Sequence, residues 1–242
     1  MKKIKMLTNE SINKNLKLFN NDCKQSDRYA SFDYCFNYFQ EKYKNGEIDK
    51  IANSENIQLS CLQLGFYLAS WGMYRGSTFL LQKSVKIYEP LIKYIASKEC
   101  DVWDIDVDNY TNDNINKLIE CGKKVKEKVK ELDDTTKKAT ETLVTKIMLG
   151  VFGSVPAFDG YFKQGSNLGT FNENSLKRIK EFYKENSGII SDKAKEIKTF
   201  EYKNRDKGKR TYTKAKIIDM IFFVNGLKLE KDKKKKKRNC ST

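Results

Sequence analysis

The sequence contains no histidine. That absence excludes Ser-His-Asp and Cys-His mechanisms, histidine general-base nucleases and ribonucleases of the Arg-to-His type. Any catalysis is left to Asp, Glu, Lys, Tyr, Ser, Cys or a metal held by oxygens. Only two prolines, Pro90 and Pro156, and thirteen glycines occur in 242 residues, which argues against collagen-like, linker-rich and many-turned all-β chains. None of the six cysteines (Cys23, Cys35, Cys61, Cys100, Cys121, Cys240) forms a C-x-x-C pair, so the usual zinc spacings are missing and no metal centre is expected. No apolar run approaches the length of a membrane span, and Met1 to Thr8 lacks the apolar stretch of a secretory leader. The chain therefore reads as a reduced, cytoplasmic protein with no membrane partner.

What the chain has in excess is positive charge. Lys plus Arg number 47 against 32 Asp plus Glu, a formal +15, which makes a polyanion the partner to expect. From Lys228 to Arg238 there are eight basic residues against Glu230 and Asp232, so much of the excess lies at one end. Like-charge blocks repel and solvate, and residues 228–242 are expected as a disordered lysine-rich tail behind a helical domain spanning 1–227.

Helical periodicity dominates the rest. Ile12, Leu16 and Phe19 repeat at helical spacing, as do Phe32, Phe36, Phe39 and Tyr43 ahead of an Asn45-Gly46 stop. Leu59, Leu62, Phe66 and Ala69 read as the core face of the next helix, which runs into Trp71-Gly-Met-Tyr-Arg-Gly-Ser77. Ser77 is placed to cap a following helix, and Pro90 to kink or break it near Tyr88. The acidic segment Glu99 to Thr111 reads as a solvated connection. A charged helix over Asn112 to Leu132 follows, and Thr135 or Thr136 is expected to cap the next one, with Ala139, Leu143 and Ile147 inward. The segment 189–208 reads as a short helix about Lys193 to Lys198 and then a basic loop; Thr211 to Leu227 closes the fold as a nearly apolar helix broken only by Asp219. No repeat and no sustained period-two alternation is present, so the expectation is one all-α, irregular multi-helix domain.

Two acids stand among large apolar residues. Asp159 follows Pro156 closely enough to lie in the first turn of a short aromatic helix, where the helix dipole favours an anion; Asp219 sits inside a helix and lacks that structural reason. Arg75, beside Trp71 and Tyr74, could hold a phosphate or carboxylate while stacking on a ring. If Arg75, Asp159 and Asp219 converge, with Trp71, Tyr74 and Tyr161 lining a pocket, a histidine-free enzyme acting on nucleic acid or a nucleotide becomes the rival reading. Mg²⁺ enters only with that rival; otherwise no cofactor is implied. Asp192 with Glu201-Tyr202-Lys203 also follows the acid and acid-x-Lys order of metal-dependent nucleases, a pattern that arises readily in a lysine-rich chain, as in Asp232-Lys233-Lys234.

The Ser154 to Phe162 segment, a Pro-x-x-Asp corner entering an apolar helix, resembles the stretch bearing the catalytic aspartate of helix-hairpin-helix DNA glycosylases, which implies a role for Asp159 at the sugar of a flipped base. The likeness is confined to that stretch, and no Gly-rich hairpin with its lysine precedes it. The runs Trp71 to Ser77, Pro156 to Phe162 and Lys216 to Phe222 are similar to those of a family of bacterial helical proteins without an assigned activity, which implies one co-folding unit. The leading expectation is sequence-unspecific nucleic-acid binding. Phosphate contacts would come from Lys203, Arg205, Lys207, Lys209 and Arg210 in the basic loop and from Lys233, Lys234, Lys235, Lys236, Lys237 and Arg238 in the tail. A structural or interaction protein is the third reading.

Overall fold

The computed structural model describes residues 3–21, 23–76, 78–203 and 207–239; the side chains of residues 207 and 237–239 are outside that description. Among the described residues the chain is built from helices and one small hairpin. The helices run α1 (Asn9–Asn21), α2 (Ala30–Lys44), α3 (Ile57–Ser70), α4 (Glu89–Ala96), α5 (Asn112–Lys128), α6 (Glu141–Phe152), α7 (Gly160–Ser166), α8 (Glu173–Glu185), α9 (Ser187–Glu196) and α10 (Lys214–Asn239). Between α9 and α10, β1 (Lys198–Phe200) pairs antiparallel with β2 (Lys207–Thr211). The basic loop read from the sequence is thus an irregular two-stranded hairpin.

Local chemistry explains most boundaries. Thr111, Thr140 and Asn172 each accept from a backbone N–H three residues on and start α5, α6 and α8. The cap of α6 is therefore Thr140, because Lys130 holds Asp133 and Thr135 in a separate turn ahead of it. Pro90 lies in the first turn of α4, where its missing N–H costs nothing, so it starts that helix instead of kinking one. Gly153 ends α6 at φ 68°, and its carbonyl accepts from Thr213 Oγ1 at 2.7 Å, tying the end of α6 to the start of α10. Ser77, the expected cap, is outside the described residues; Thr78 Oγ1 accepts from Leu80 N there instead.

One core gathers residues from Ile4 to Val224. α10 supplies its centre, with Ile217, Ile218, Met220, Ile221 and Phe222 buried, and crosses α7 at backbone contact. A Cβ added at Gly165 would overlap the Phe222 carbonyl, and one at Gly226 would overlap the Tyr161 carbonyl. Asn225 Nδ2 donates to Gly165 O at 2.8 Å across the same crossing. Past Leu227 the helix continues to Asn239, exposed from Lys231 through Lys236; residues 240–242 of the run expected as a tail are outside the described residues.

Two expectations are corrected by burial. In α3 the inward face is Ser60, Cys61, Leu64, Gly65, Tyr67 and Leu68; Leu59, Leu62, Phe66 and Ala69 face outward. The alternative face wins because Gly65 lets Val85 and Tyr88 approach α3 closely, and Tyr67 packs over Gly150 of α6. The acidic 99–111 segment is also more than a solvated connection. Asp106 accepts from the backbone N–H of Lys214 at 2.8 Å and of Ala215 at 2.9 Å, capping α10 from 108 residues away. Trp103 stacks on Tyr43 at 4.7 Å, and Tyr43 donates to Asp104.

Candidate functional site

The two acids do converge, but on a buried cluster of ion pairs. Asp159 is the N-cap of α7 and accepts from Phe162 N at 2.9 Å; its other oxygen lies 3.7 Å from Lys146 Nζ. Lys146 in turn donates to the carbonyl of Trp71 at 2.9 Å. Asp219 accepts from Ala157 N at 3.0 Å and from Lys216 Nζ at 2.9 Å. Lys216 is 2% exposed and sits over the rings of Phe32, Trp71 and Phe19 at 4.3, 5.1 and 5.3 Å. Two lysines therefore neutralise two carboxylates beneath a lid of aromatic rings.

Burial sets the electrostatics of this cluster. It raises the Asp159 carboxyl above its usual range while the Lys146 charge pulls the other way, and it lowers the Lys146 ammonium against the pull of Asp159 and Asp219. Both members of the pair are thus moved toward their neutral forms. The carboxylates already serve backbone N–H groups and ammonium groups, and a divalent cation between them would face Lys146 and Lys216. That donor set does not fit Mg²⁺, and among the described residues no group of three Cys, Asp or Glu is placed to hold a metal ion.

The expected pocket around this cluster is filled. Trp71 packs on Tyr29 and Phe223 at 5.2 and 5.9 Å, and Tyr161 on Phe223 at 5.3 Å. Tyr74 lies elsewhere, its hydroxyl 2.8 Å from that of Tyr88. Arg75 is exposed and folds back over Gly72, whose φ of 78° turns the chain there; it repels Lys146 electrostatically without joining the cluster. Sequence reasoning singled out the acids and missed the lysines. The same signal would have found them, since Lys146 and Lys216 each stand in an apolar helical run, Val144-Thr-Lys-Ile-Met148 and Ala215-Lys-Ile-Ile218.

Among the described residues an open groove of about 1210 Å³ lies between α2, α3 and the hairpin. Five cations line it: Arg28 and Lys44 from α2 and its approach, and Lys203, Lys209 and Arg210 from the hairpin. Three carboxylates, Asp27, Glu41 and Glu201, share the lining. The hairpin is moored by side chains of α2 and of the turn before it. Asn37 Nδ2 donates to Phe200 O at 2.8 Å, Gln25 Nε2 to Glu201 O at 2.7 Å, and Asp33 accepts from Phe200 N at 2.8 Å and from Tyr212 Oη at 2.7 Å. Glu201 also accepts from Lys209 N across the strands at 2.9 Å. Arg210 is half-buried, and burial lowers its guanidinium against the pull of Glu41 and Glu201. Among the described residues Lys44, Lys203 and Lys209 make no ion pair.

Of the expected phosphate-contacting residues, the groove gathers Lys203, Lys209 and Arg210. Lys207 lies on β2 and Arg205 is outside the described residues. Lys233 to Lys236 project from the exposed end of α10 and do not line the groove; the side chains of Lys237 and Arg238 are outside the description. Of the nuclease-like set, Asp192 is exposed on α9 while Glu201 is committed to the hairpin. Tyr34 and Lys44 were missed and Phe66 was read as core because each falls in a helix whose pattern reads as scaffold, and Arg28 was missed because it lies in the turn before α2.

Comparison of the chain with protein-family models, with curated proteins and with solved structures gave no match to any of them. No described helix is long and apolar enough to cross a membrane.

Proposed function

We propose that this protein binds nucleic acid through the groove between α2, α3 and the hairpin, largely without regard to sequence. The observation that carries the reading is convergence. Arg28 and Lys44 meet Lys203, Lys209 and Arg210, more than 150 residues away in the chain, around one concavity. Three of those cations, Lys44, Lys203 and Lys209, have no carboxylate partner among the described residues, so their charge is available to phosphates. The chain's +15 balance favours the approach of a polyanion at long range, and the lysines of the α10 end add to that field. The buried cluster supports stability instead, because its acids are occupied by backbone N–H groups and lysines.

The test is retardation of DNA and RNA by the full chain across a salt series. Binding at low salt that weakens steeply with added salt is expected, and a triple substitution Lys44→Gln, Lys203→Gln, Lys209→Gln should flatten that dependence by about three phosphate contacts. Absence of retardation by the unsubstituted protein at low salt overturns the reading.

A further inference from the structure

We infer that the groove takes single-stranded nucleic acid and holds it by stacking bases on Phe66 and Tyr202, an inference that rests on the reading proposed above. The two rings are 66% and 85% exposed, although aromatic side chains of this size ordinarily bury themselves. Both line the groove with the lysines, so rings and cations share one concavity. Leu62, one turn before Phe66 on α3, is 45% exposed and extends the apolar platform. Tyr202 is oriented from below: the Tyr34 ring meets it edge to face at 5.5 Å and 78°, and the Tyr34 hydroxyl is held by Gln25 O at 2.8 Å. The residues just before it are fixed by Asn37 and Gln25, so its backbone is anchored while its ring stays in water.

The choice of a single strand follows from geometry. In a duplex the base faces are stacked on one another and only phosphates, sugars and base edges are offered outward, so exposed rings in a groove gain nothing from it. A single strand offers a π face at every nucleotide, and stacking on an aromatic ring is sequence-tolerant because every base has one. At about 1210 Å³ the groove is also larger than the roughly 300–1,000 Å³ of a small-molecule pocket, which suits a short run of nucleotides.

The experiment is fluorescence anisotropy with a labelled oligothymidine of about 20 nucleotides and a duplex of equal length, using the full chain and variants checked for native helicity by circular dichroism. The unsubstituted protein should prefer the single strand. Phe66→Ala and Tyr202→Ala should each weaken single-strand binding roughly 5- to 150-fold, the range of one lost stack, with the salt slope unchanged and duplex binding unaffected. Tyr202→Phe should retain affinity, whereas Lys203→Gln should weaken both ligands and lower the slope. Equal affinity for the two ligands with the ring variants unaffected overturns the inference and leaves nucleic-acid binding standing. No binding of either by the unsubstituted protein overturns both. Binding of an acidic amphipathic helical peptide, lost in Leu62→Ser and Phe66→Ala, with no single-strand binding, would make the groove a protein-docking surface and overturn both as well.

Discussion

Lys216 Nζ donates to Asp219 Oδ2 at 2.9 Å, one turn along α10, and both side chains are sealed from water at 2% and 4% exposure. The pair sits where the helix crosses the Ser154 to Phe158 corner, and the second Asp219 oxygen fixes that corner through Ala157 N. Asp219→Ala should therefore leave a buried ammonium unpaired and cost about 3–5 kcal/mol in denaturant unfolding. Asp219→Asn keeps an acceptor for Ala157 and should recover part of the loss only when combined with Lys216→Met, since the pair together can be replaced more cheaply than either member alone. Equal stability of Asp219→Ala and the parent would show that the cluster carries no structural weight.

The crossing of α7 and α10 depends on two glycines in the same sense. A methyl at Gly165 or Gly226 meets backbone carbonyl, which cannot move aside as a side-chain end can. Gly165→Ala and Gly226→Ala should each destabilise by about 3 kcal/mol or more, the scale of an overpacked contact with no route of relief. Gly160→Ala, at the start of α7 with open space around it, should change stability by less than about 1 kcal/mol. Thermal unfolding of the three variants separates close packing from simple loss of glycine.

The helices and their polarity of burial were mostly legible in the sequence, and the exceptions have identifiable causes. Ile12, Leu16 and Phe19, like Phe32, Phe36 and Phe39, are buried as their spacing implies. α3 is apolar on both faces, so periodicity alone could not choose between the Leu59-Leu62-Phe66 stripe and the Leu64-Tyr67-Leu68 stripe. Gly65 and Gly150 made the choice, and they act through partners far away in the chain. Asp106 was unreadable for a similar reason, because its capping targets Lys214 and Ala215 belong to another element. The acids of the buried cluster could be picked out as polar residues in apolar runs; the groove could not, since it exists only where α2, α3 and the hairpin meet.

That reversal on α3 is itself testable. Leu62→Gln on the outward stripe should shift stability by no more than about 0.5 kcal/mol, the usual effect of a surface substitution. Leu64→Ala on the inward face, where the side chain is fully buried, should cost about 2–5 kcal/mol. A large loss at Leu62 with a small one at Leu64 would place α3 the other way round.

Capping of α10 by Asp106 predicts a smaller, local effect. Asp106→Ala removes the acceptor for two of the helix's first N–H groups and the partner of Lys214, 3.8 Å away. A loss of about 1–2 kcal/mol is expected, and hydrogen exchange should rise first at Lys214 and Ala215. Exchange that rises instead across the whole of α10 would mean the cap holds the helix in place and does not merely finish its end.

The pH dependence of stability should follow the buried phenols. Burial raises Tyr67, Tyr110 and Tyr212 well above their ordinary value of 10.0, Tyr212 further through the neighbouring Asp33. A folded-state value above the unfolded one means the native state keeps protons that the unfolded chain releases. Stability from these groups is therefore complete below about pH 10 and is lost as pH rises beyond it. These three phenols alone contribute a limiting slope of about 4 kcal/mol per pH unit, and other groups raised by burial, Tyr88 and Cys35 among them, add to it. With no histidine in the chain, the free energy of unfolding should stay nearly level between about pH 6 and 8. Urea denaturation series across that range and up to about pH 11 measure both parts. Tyr110→Phe, which removes one buried phenol and its 2.6 Å bond to Ser154 O, should lower stability at neutral pH while reducing the alkaline slope by about 1.4 kcal/mol per pH unit. An alkaline slope unchanged in that variant would assign the loss to other groups.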